Sequence, residues 1–180
     1  MIKLLKILLL TLFAYLLQAT TAHYIAIGGV APNLAFALIA VATVAFGRKY
    51  AFAMSLTVGY LLEIMLPALD YISLIAYPVC AMLGALCFSD KSERKLEEER
   101  TQGKRSEQWN PHLRTPLCAG LSTMVFEAVN LIYTFLSGVS LDAAHWGRAI
   151  FDVVYTMALA FLFQFPLRKW LGVYRLPKAR

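Results

Sequence analysis

The sequence predicts an all-α integral membrane protein: a single domain over residues 1–180 that forms a bundle of six transmembrane helices with both termini in the cytoplasm. The first observation is a composition with 59% hydrophobic residues, well above the roughly 45 to 50% of soluble domains. The second is a series of six apolar runs separated by links. The third is an excess of basic residues in alternate links, which is typical of the cytoplasmic side of membrane proteins.

The six apolar runs follow in order from the N-terminus. The first begins after Lys3 and Lys6 and ends near Ala22. It is interpreted as a span instead of a signal peptide, because it is long enough for a bilayer and is followed by a poor cleavage site. The second is entered through Pro32, which suits a first helical turn, and Pro78 predicts a kink in the fourth. The five later runs are residues 33–46, 50–66, 72–88, 116–136 and 149–165.

The links divide the basic residues unequally between the two sides of the membrane. If the N-terminus is cytoplasmic, all of the 17 lysines and arginines except Arg148 lie in cytoplasmic segments, and Arg48 and Lys49 end the second run on that side. Residues 89–115 are predicted to be a charged cytoplasmic loop, either a docking surface for a partner or a solvated helix face. Residues 168–180 are predicted to be a basic cytoplasmic tail at the anionic inner leaflet.

Three acidic residues lie inside the predicted spans: Glu63, Glu127 and Asp152. A carboxylate near the middle of a membrane helix costs about 2.5 to 3.5 kcal/mol on insertion scales, and no lysine or arginine lies deep enough to pair with these acids. Gly59 precedes Glu63 by one helical turn and lets a neighbouring helix approach closely. Asn130 shares a helix face with Glu127. We expect these five residues to line a polar bundle interior or a partner-binding surface.

Two roles are open for the three acids. They could form a proton or cation path or a polar substrate pocket, because ionisable residues inside membranes often mark such sites. They could instead bond, as neutral acids, to Gln18, Asn130, Tyr155 or threonine hydroxyls and so set the helix register.

Enzymatic activity is not predicted from the residues. The three histidines are far apart in the chain, and no nucleophile, zinc or phosphate-binding motif occurs. The three cysteines lack metal-ligand spacing and are interpreted as small packing residues. No cofactor, metal or nucleic-acid partner is expected, since the net charge of +6 is explained by membrane topology.

The order of several motifs resembles one membrane protein family. These motifs are Pro32 at the entry to the second span, Gly59-x-x-x-Glu63 before a short turn, Gly84-Ala85-Leu86 at the close of the fourth span, and Phe165-Pro166-Leu167-Arg168 at the end of the last. With the length and the six spans, they resemble MreD, the rod-shape-determining membrane protein family of bacteria, over nearly the whole chain. That family more often has aspartate at the position of Glu63.

The resemblance implies a non-enzymatic subunit of the peptidoglycan elongation machinery, a multi-pass protein of the bacterial cytoplasmic (inner) membrane that maintains rod shape. It implies binding to MreC, to RodA and its penicillin-binding partner, and to MreB filaments at the cytoplasmic face. It also implies a fold similar to the substrate-binding subunits of energy-coupling-factor vitamin transporters. The alternative function is therefore a small-molecule uptake subunit, although Ala14, Ala19 and Ala22 do not form the Ala-x-x-x-Ala face expected for a coupling partner.

Overall fold

The computed structural model describes residues 2–65, 72–88 and 110–172, and these contain six main helices and no strand. The helices are α1 (Ile2–Leu16), α2 (Leu34–Phe46), α3 (Arg48–Met65), α4 (Ile72–Phe88), α5 (Pro111–Leu136) and α6 (Ala143–Leu171). After α1 the chain stays helical through a π-helical segment, Leu17–Thr21, and a final turn, Ala22–Tyr24. The predicted all-α class is thus confirmed for the described part of the chain.

Within the part of the chain that the structure describes, three helical stretches are long and apolar enough to cross a membrane: Leu4–Tyr24, His112–Leu136 and Ala143–Leu171. The apolar helices α2 and α4 are shorter. This supports a membrane protein by length and composition, whereas the six-span topology and the cytoplasmic placement of the termini stay predictions.

Two predictions about the ends of the second helix were wrong. Pro32 lies outside α2, since Asn33 is the N-cap. Gly47, with a φ of 89°, separates α2 from α3, so Arg48 and Lys49 begin the third helix instead of ending the second.

Helices α5 and α6 are both longer than their apolar runs. A proline in the first turn starts α5 at Pro111, so the last residues of the predicted loop 89–115 are helical. Helix α6 begins at Ala143 and includes Arg148, and its first turn is held by the backbone N–H of Asp142, which donates to His145 Nδ1 at 3.2 Å. Residues 89–109 of the predicted loop and residues 173–180 of the predicted tail lie outside the described residues.

Helix α2 occupies the centre of the bundle. Every residue from Leu34 to Val44 is buried, and α2 contacts each of the other five helices. Around it, α1 lies beside α3, α3 beside α4, α4 beside α5, and α5 beside α6. A helix that is apolar on all sides is expected to be buried on all sides, which explains why this alanine-rich segment is the core.

Basic side chains hold helix C-termini at one end of the bundle. Lys6 Nζ donates to the carbonyl oxygen of Trp170 at 2.9 Å, and an Arg48 guanidinium nitrogen donates to that of Leu86 at 3.1 Å. Arg114 donates to the Phe88 carbonyl oxygen at 2.7 Å. Successive helices therefore run in alternating directions, with the starts of α1, α3 and α5 beside the ends of α4 and α6.

Candidate functional site

Asn33 is the centre of a buried group of hydrogen bonds between helices. Its backbone N–H donates to Thr156 Oγ1 at 2.9 Å and to Asp152 Oδ1 at 3.2 Å. Its side-chain Oδ1 accepts from the backbone N–H of Phe36 at 3.2 Å, and its Nδ2 donates to Tyr77 Oη at 3.3 Å. One asparagine therefore joins the start of α2 to α4 and α6.

The remaining N–H groups in the first turn of α2 also have partners. Gln18 Oε1 accepts from the backbone N–H of Ala35 at 3.1 Å, and the Pro32 carbonyl oxygen accepts from that of Leu34 at 3.1 Å. A helix N-terminus buried in an apolar bundle cannot be satisfied by bulk water. Side chains of α6 and of the Leu17–Thr21 segment therefore accept the hydrogen bonds that water accepts at the N-terminus of an exposed helix.

A tight turn places this N-terminus inside the bundle. Gly28 and Gly29 have φ values of 63° and 80°, a region that glycine enters at no steric cost. Ile27 and Val30 exchange two backbone hydrogen bonds of 3.1 Å across the turn, and Tyr155 Oη donates to the Ile25 carbonyl oxygen at 2.9 Å. The chain thus reverses direction before Asn33 and re-enters beside α6.

The second part of the site lies between α5 and α6. Asn130 Nδ2 donates to Glu127 Oε1 at 3.3 Å, and Thr156 Oγ1 donates to Asp152 Oδ1 at 3.0 Å. The carboxyl groups of Glu127 and Asp152 lie close enough to interact with each other. Glu127, Asn130 and Asp152, three residues singled out from the sequence, therefore form one cluster, and Asp152 connects it to Asn33.

Glu63 and Gly59 belong to a different contact, between α3 and α4. Glu63 Oε2 accepts from the backbone N–H of Ser73 at 3.0 Å, in the first turn of α4, where a negative charge is favoured. A Cβ on Gly59 would lie 2.8 Å from the Ser73 carbonyl oxygen and 3.1 Å from Tyr77 Cβ. The close helix approach predicted at Gly59 is thus present, and the Ser73 bond gives Glu63 a structural role in this helix pair.

The sequence reasoning identified the acids better than their partners. Gln18 and Tyr155 were expected to bond to the acids, but the bonds described for them run to the backbone of Ala35 and Ile25. Asn33 was missed as a site residue, although an asparagine directly before an apolar run is an N-cap signal. Nothing in the sequence indicated a role for Tyr77, because one tyrosine inside an apolar run does not reveal which helix it faces.

The candidate site has few side chains of the kinds that ligate a metal ion. Among the residues that the structure describes, no group of three or more His, Cys, Asp or Glu side chains could hold a metal ion. The cluster offers hydrogen-bonding groups and two carboxyls, and the described bonds use these groups to connect helices.

Gln164 on α6 differs from the other buried polar residues. Its side chain is fully buried, and neither amide atom has a hydrogen-bond partner. A buried polar group without a partner costs about 1 to 3 kcal/mol. We therefore expect Gln164→Met, which keeps the side-chain length, to raise the thermal denaturation midpoint in detergent.

The matched control for this prediction is Gln18→Met. Gln18 Oε1 accepts the backbone N–H of Ala35, so removing it should lower the midpoint. A fall of the midpoint in Gln164→Met of the same size as in the control would contradict the prediction.

Comparison with protein-family models, with characterised proteins and with solved structures finds no match for this chain. The resemblance to the MreD family therefore stays a prediction from the order of the sequence motifs.

Proposed function

We propose that this protein is a non-enzymatic scaffold subunit of the bacterial elongation machinery, a member of the MreD family in the cytoplasmic membrane. In this role it binds MreC and links the synthesis of peptidoglycan by RodA and its penicillin-binding partner to MreB. The observation that carries the proposal is that the polar residues around Asn33 and Asp152 bond to one another and to the start of α2. Such a bundle is rigid inside and has its contact surfaces outside.

The centre of the bundle supports a scaffold better than a small-molecule binder. A ligand site needs a concave chamber with a few convergent polar groups. Here α2, buried from Leu34 to Val44, fills the middle of the bundle, and the polar groups around Asn33 are bonded to each other. The polar cluster thus consists of hydrogen bonds that connect one helix to another.

The outer surface offers grooves between neighbouring helices. One groove, of about 810 Å³, lies between α1 and α3 and is lined by residues such as Leu8, Ala53 and Thr57. Another, of about 470 Å³, lies between α3 and α4 and includes Leu56 and Pro78. Long apolar grooves at membrane depth suit the packing of another transmembrane helix, which favours a protein that assembles other membrane proteins.

Depletion in the native cells tests this function. We expect depleted cells to lose rod shape and become round, and expression of the wild-type chain from a plasmid to restore rods. Affinity purification of the detergent-solubilised protein should recover MreC together with RodA and its penicillin-binding partner. Cells that stay rod-shaped after depletion would contradict the proposal. Recovery of transporter ATPases and a coupling subunit would support the uptake alternative instead.

Variants for this test should change the outside of the bundle. Gly59, singled out from the sequence as a position of close helix approach, is unsuited to this test. Because Gly59 packs against Ser73 and Tyr77 within the chain, a large side chain there would separate α3 from α4. Loss of copurification would then report disruption of the fold, so exposed groove positions such as Ala53 are better suited.

A further inference from the structure

A smaller groove runs between α5 and α6 and, unlike the two grooves described above, has an acidic residue, Glu127, among its lining residues. Its volume is about 230 Å³, and its lining includes Met124, Glu127 and Ala128 of α5 and Ala149, Ile150 and Val154 of α6. We refer to these six residues as the α5–α6 groove. The spacing of the lining residues, three or four apart on each helix, makes it parallel to both helix axes.

The shape of the α5–α6 groove suits a helix. Met124, Ile150 and Val154 are 62%, 64% and 59% exposed, so their side chains stand out as apolar walls. Ala128 and Ala149 contribute one small side chain from each helix, and small residues let the backbone of a neighbouring helix approach closely. The groove therefore has the features of a helix-packing surface in a membrane.

Glu127 gives this surface its chemical preference. The side chain is half-buried near the middle of the candidate span His112–Leu136, beside the carboxyl group of Asp152. The sequence has no lysine or arginine between residues 115 and 147 or between 149 and 167. Glu127 accepts a hydrogen bond from Asn130, but that donor is neutral. The α5 and α6 spans supply no basic side chain to offset a negative charge at this depth.

We propose that the α5–α6 groove binds a transmembrane helix of another protein that carries a lysine or arginine at the depth of Glu127. A basic side chain supplies the positive charge that the described donors to the two carboxyl groups, Asn130, Asn33 and Thr156, do not carry. A second copy of this chain cannot occupy the groove in this way through α5 or α6, because those spans hold no basic residue at that depth. The inference deepens the proposed scaffold function, on which it rests, by naming the surface and the chemistry of the partner helix.

The α1–α3 groove provides the comparison. It is larger, but its lining is apolar except for Thr11 and Thr57. Both threonine hydroxyls donate to backbone carbonyl oxygens of their own helices, to Ile7 at 2.7 Å and to Ala53 at 2.8 Å. Lipid chains satisfy such a surface, so it has no preference for a charged helix.

The test uses the full chain in lipid nanodiscs and a defined synthetic probe. The probe is a Leu/Ala transmembrane peptide of about 25 residues, long enough to span the bilayer, with one lysine at its centre, and a matched peptide has leucine there. Energy transfer between labels on the protein and the peptide measures association. We expect the lysine peptide to bind about tenfold more tightly than the leucine peptide, equivalent to about 1.4 kcal/mol.

Three variants locate the binding site. Glu127→Gln removes the charge with little change of shape and should abolish the tenfold preference. Ala128→Phe fills the groove and should abolish binding of the lysine peptide even if Glu127→Gln fails to fold. Ala53→Phe, which adds the same ring in the α1–α3 groove, is the matched control and should leave the preference unchanged.

Equal binding of the two peptides, or a preference that persists in both Glu127→Gln and Ala128→Phe, would overturn the inference. The outcome of this test can be distinguished from the outcome of the test of the proposed function. If the protein discriminates between the peptides but its depletion does not change cell shape, the docking surface is supported and the elongation role is contradicted. If depleted cells become round but the protein does not discriminate between the peptides, the elongation role is supported and this docking surface is contradicted.

Discussion

Asn33→Ala is expected to lower the free energy of unfolding by about 2 to 4 kcal/mol, because one side chain serves two buried contacts. Its Oδ1 accepts the backbone N–H of Phe36 and its Nδ2 donates to Tyr77 Oη. Loss of an N-cap costs about 0.5 to 2 kcal/mol, and leaving the buried Tyr77 hydroxyl without the Asn33 amide costs about 1 to 3 kcal/mol. Both losses occur in a region that is closed to bulk water.

The chain offers a matched control in Asn110→Ala. Asn110 occupies the same N-cap position before α5, but it is exposed and its side chain makes no capping hydrogen bond. Its replacement should change stability by less than about 0.5 kcal/mol. Denaturant unfolding of both variants in the same detergent, followed by tryptophan fluorescence, measures the difference. Equal destabilisation by the two substitutions would show that the Asn33 side chain does not stabilise the contacts between helices.

Gly84→Leu is expected to destabilise the bundle by about 3 kcal/mol or more, since it adds a large side chain at a helix crossing with no free space. A Cβ at Gly84 would overlap Ser122 Oγ and lie 3.0 Å from the Cys118 carbonyl oxygen and 3.3 Å from Cys118 Sγ. The backbone of α5 cannot rotate away as a flexible side chain can. The substitution should therefore separate α4 from α5.

Gly147→Leu is the control for this substitution. Gly147 lies within α6 and is exposed, and a Cβ there would meet no atom within 4 Å. Leucine is favoured over glycine in a helix by up to about 1 kcal/mol, so this variant should be as stable as the wild type or slightly more stable. Thermal denaturation in detergent compares the two. A Gly84→Leu protein with a wild-type midpoint would contradict the close approach of α4 and α5.

The helices themselves could be predicted from hydropathy, because each of the six main helices coincides largely with one of the apolar runs. The ends of α6 could not. Its first turns contain His145, Trp146 and Arg148, which reduce local hydropathy, while the contact that starts the helix is a bond from Asp142 to His145. Hydropathy measures transfer to lipid and carries no information about a cap.

The acids of the candidate site were visible in the sequence because charge in an apolar run is rare. Their division into two groups was not visible. Glu63 bonds to Ser73, only 10 residues later, whereas Asp152 bonds to Asn33 across 119 residues. A contact over such a separation depends on how the helices are arranged around α2, and no local pattern encodes that arrangement.

The capped start of α2 has a consequence for biosynthesis. At 13 residues, α2 is about 20 Å long, shorter than the roughly 30 Å of hydrocarbon in a bilayer. Its N-terminal N–H groups bond to Gln18, made before it, and to Asp152 and Thr156, made more than a hundred residues after it. On the predicted six-span topology, the set of partners for the start of α2 is therefore incomplete during translation until α6 has been made. A chain that stops before α6 leaves the backbone N–H of Asn33 without Asp152 and Thr156, so the start of α2 is complete only in the full-length protein.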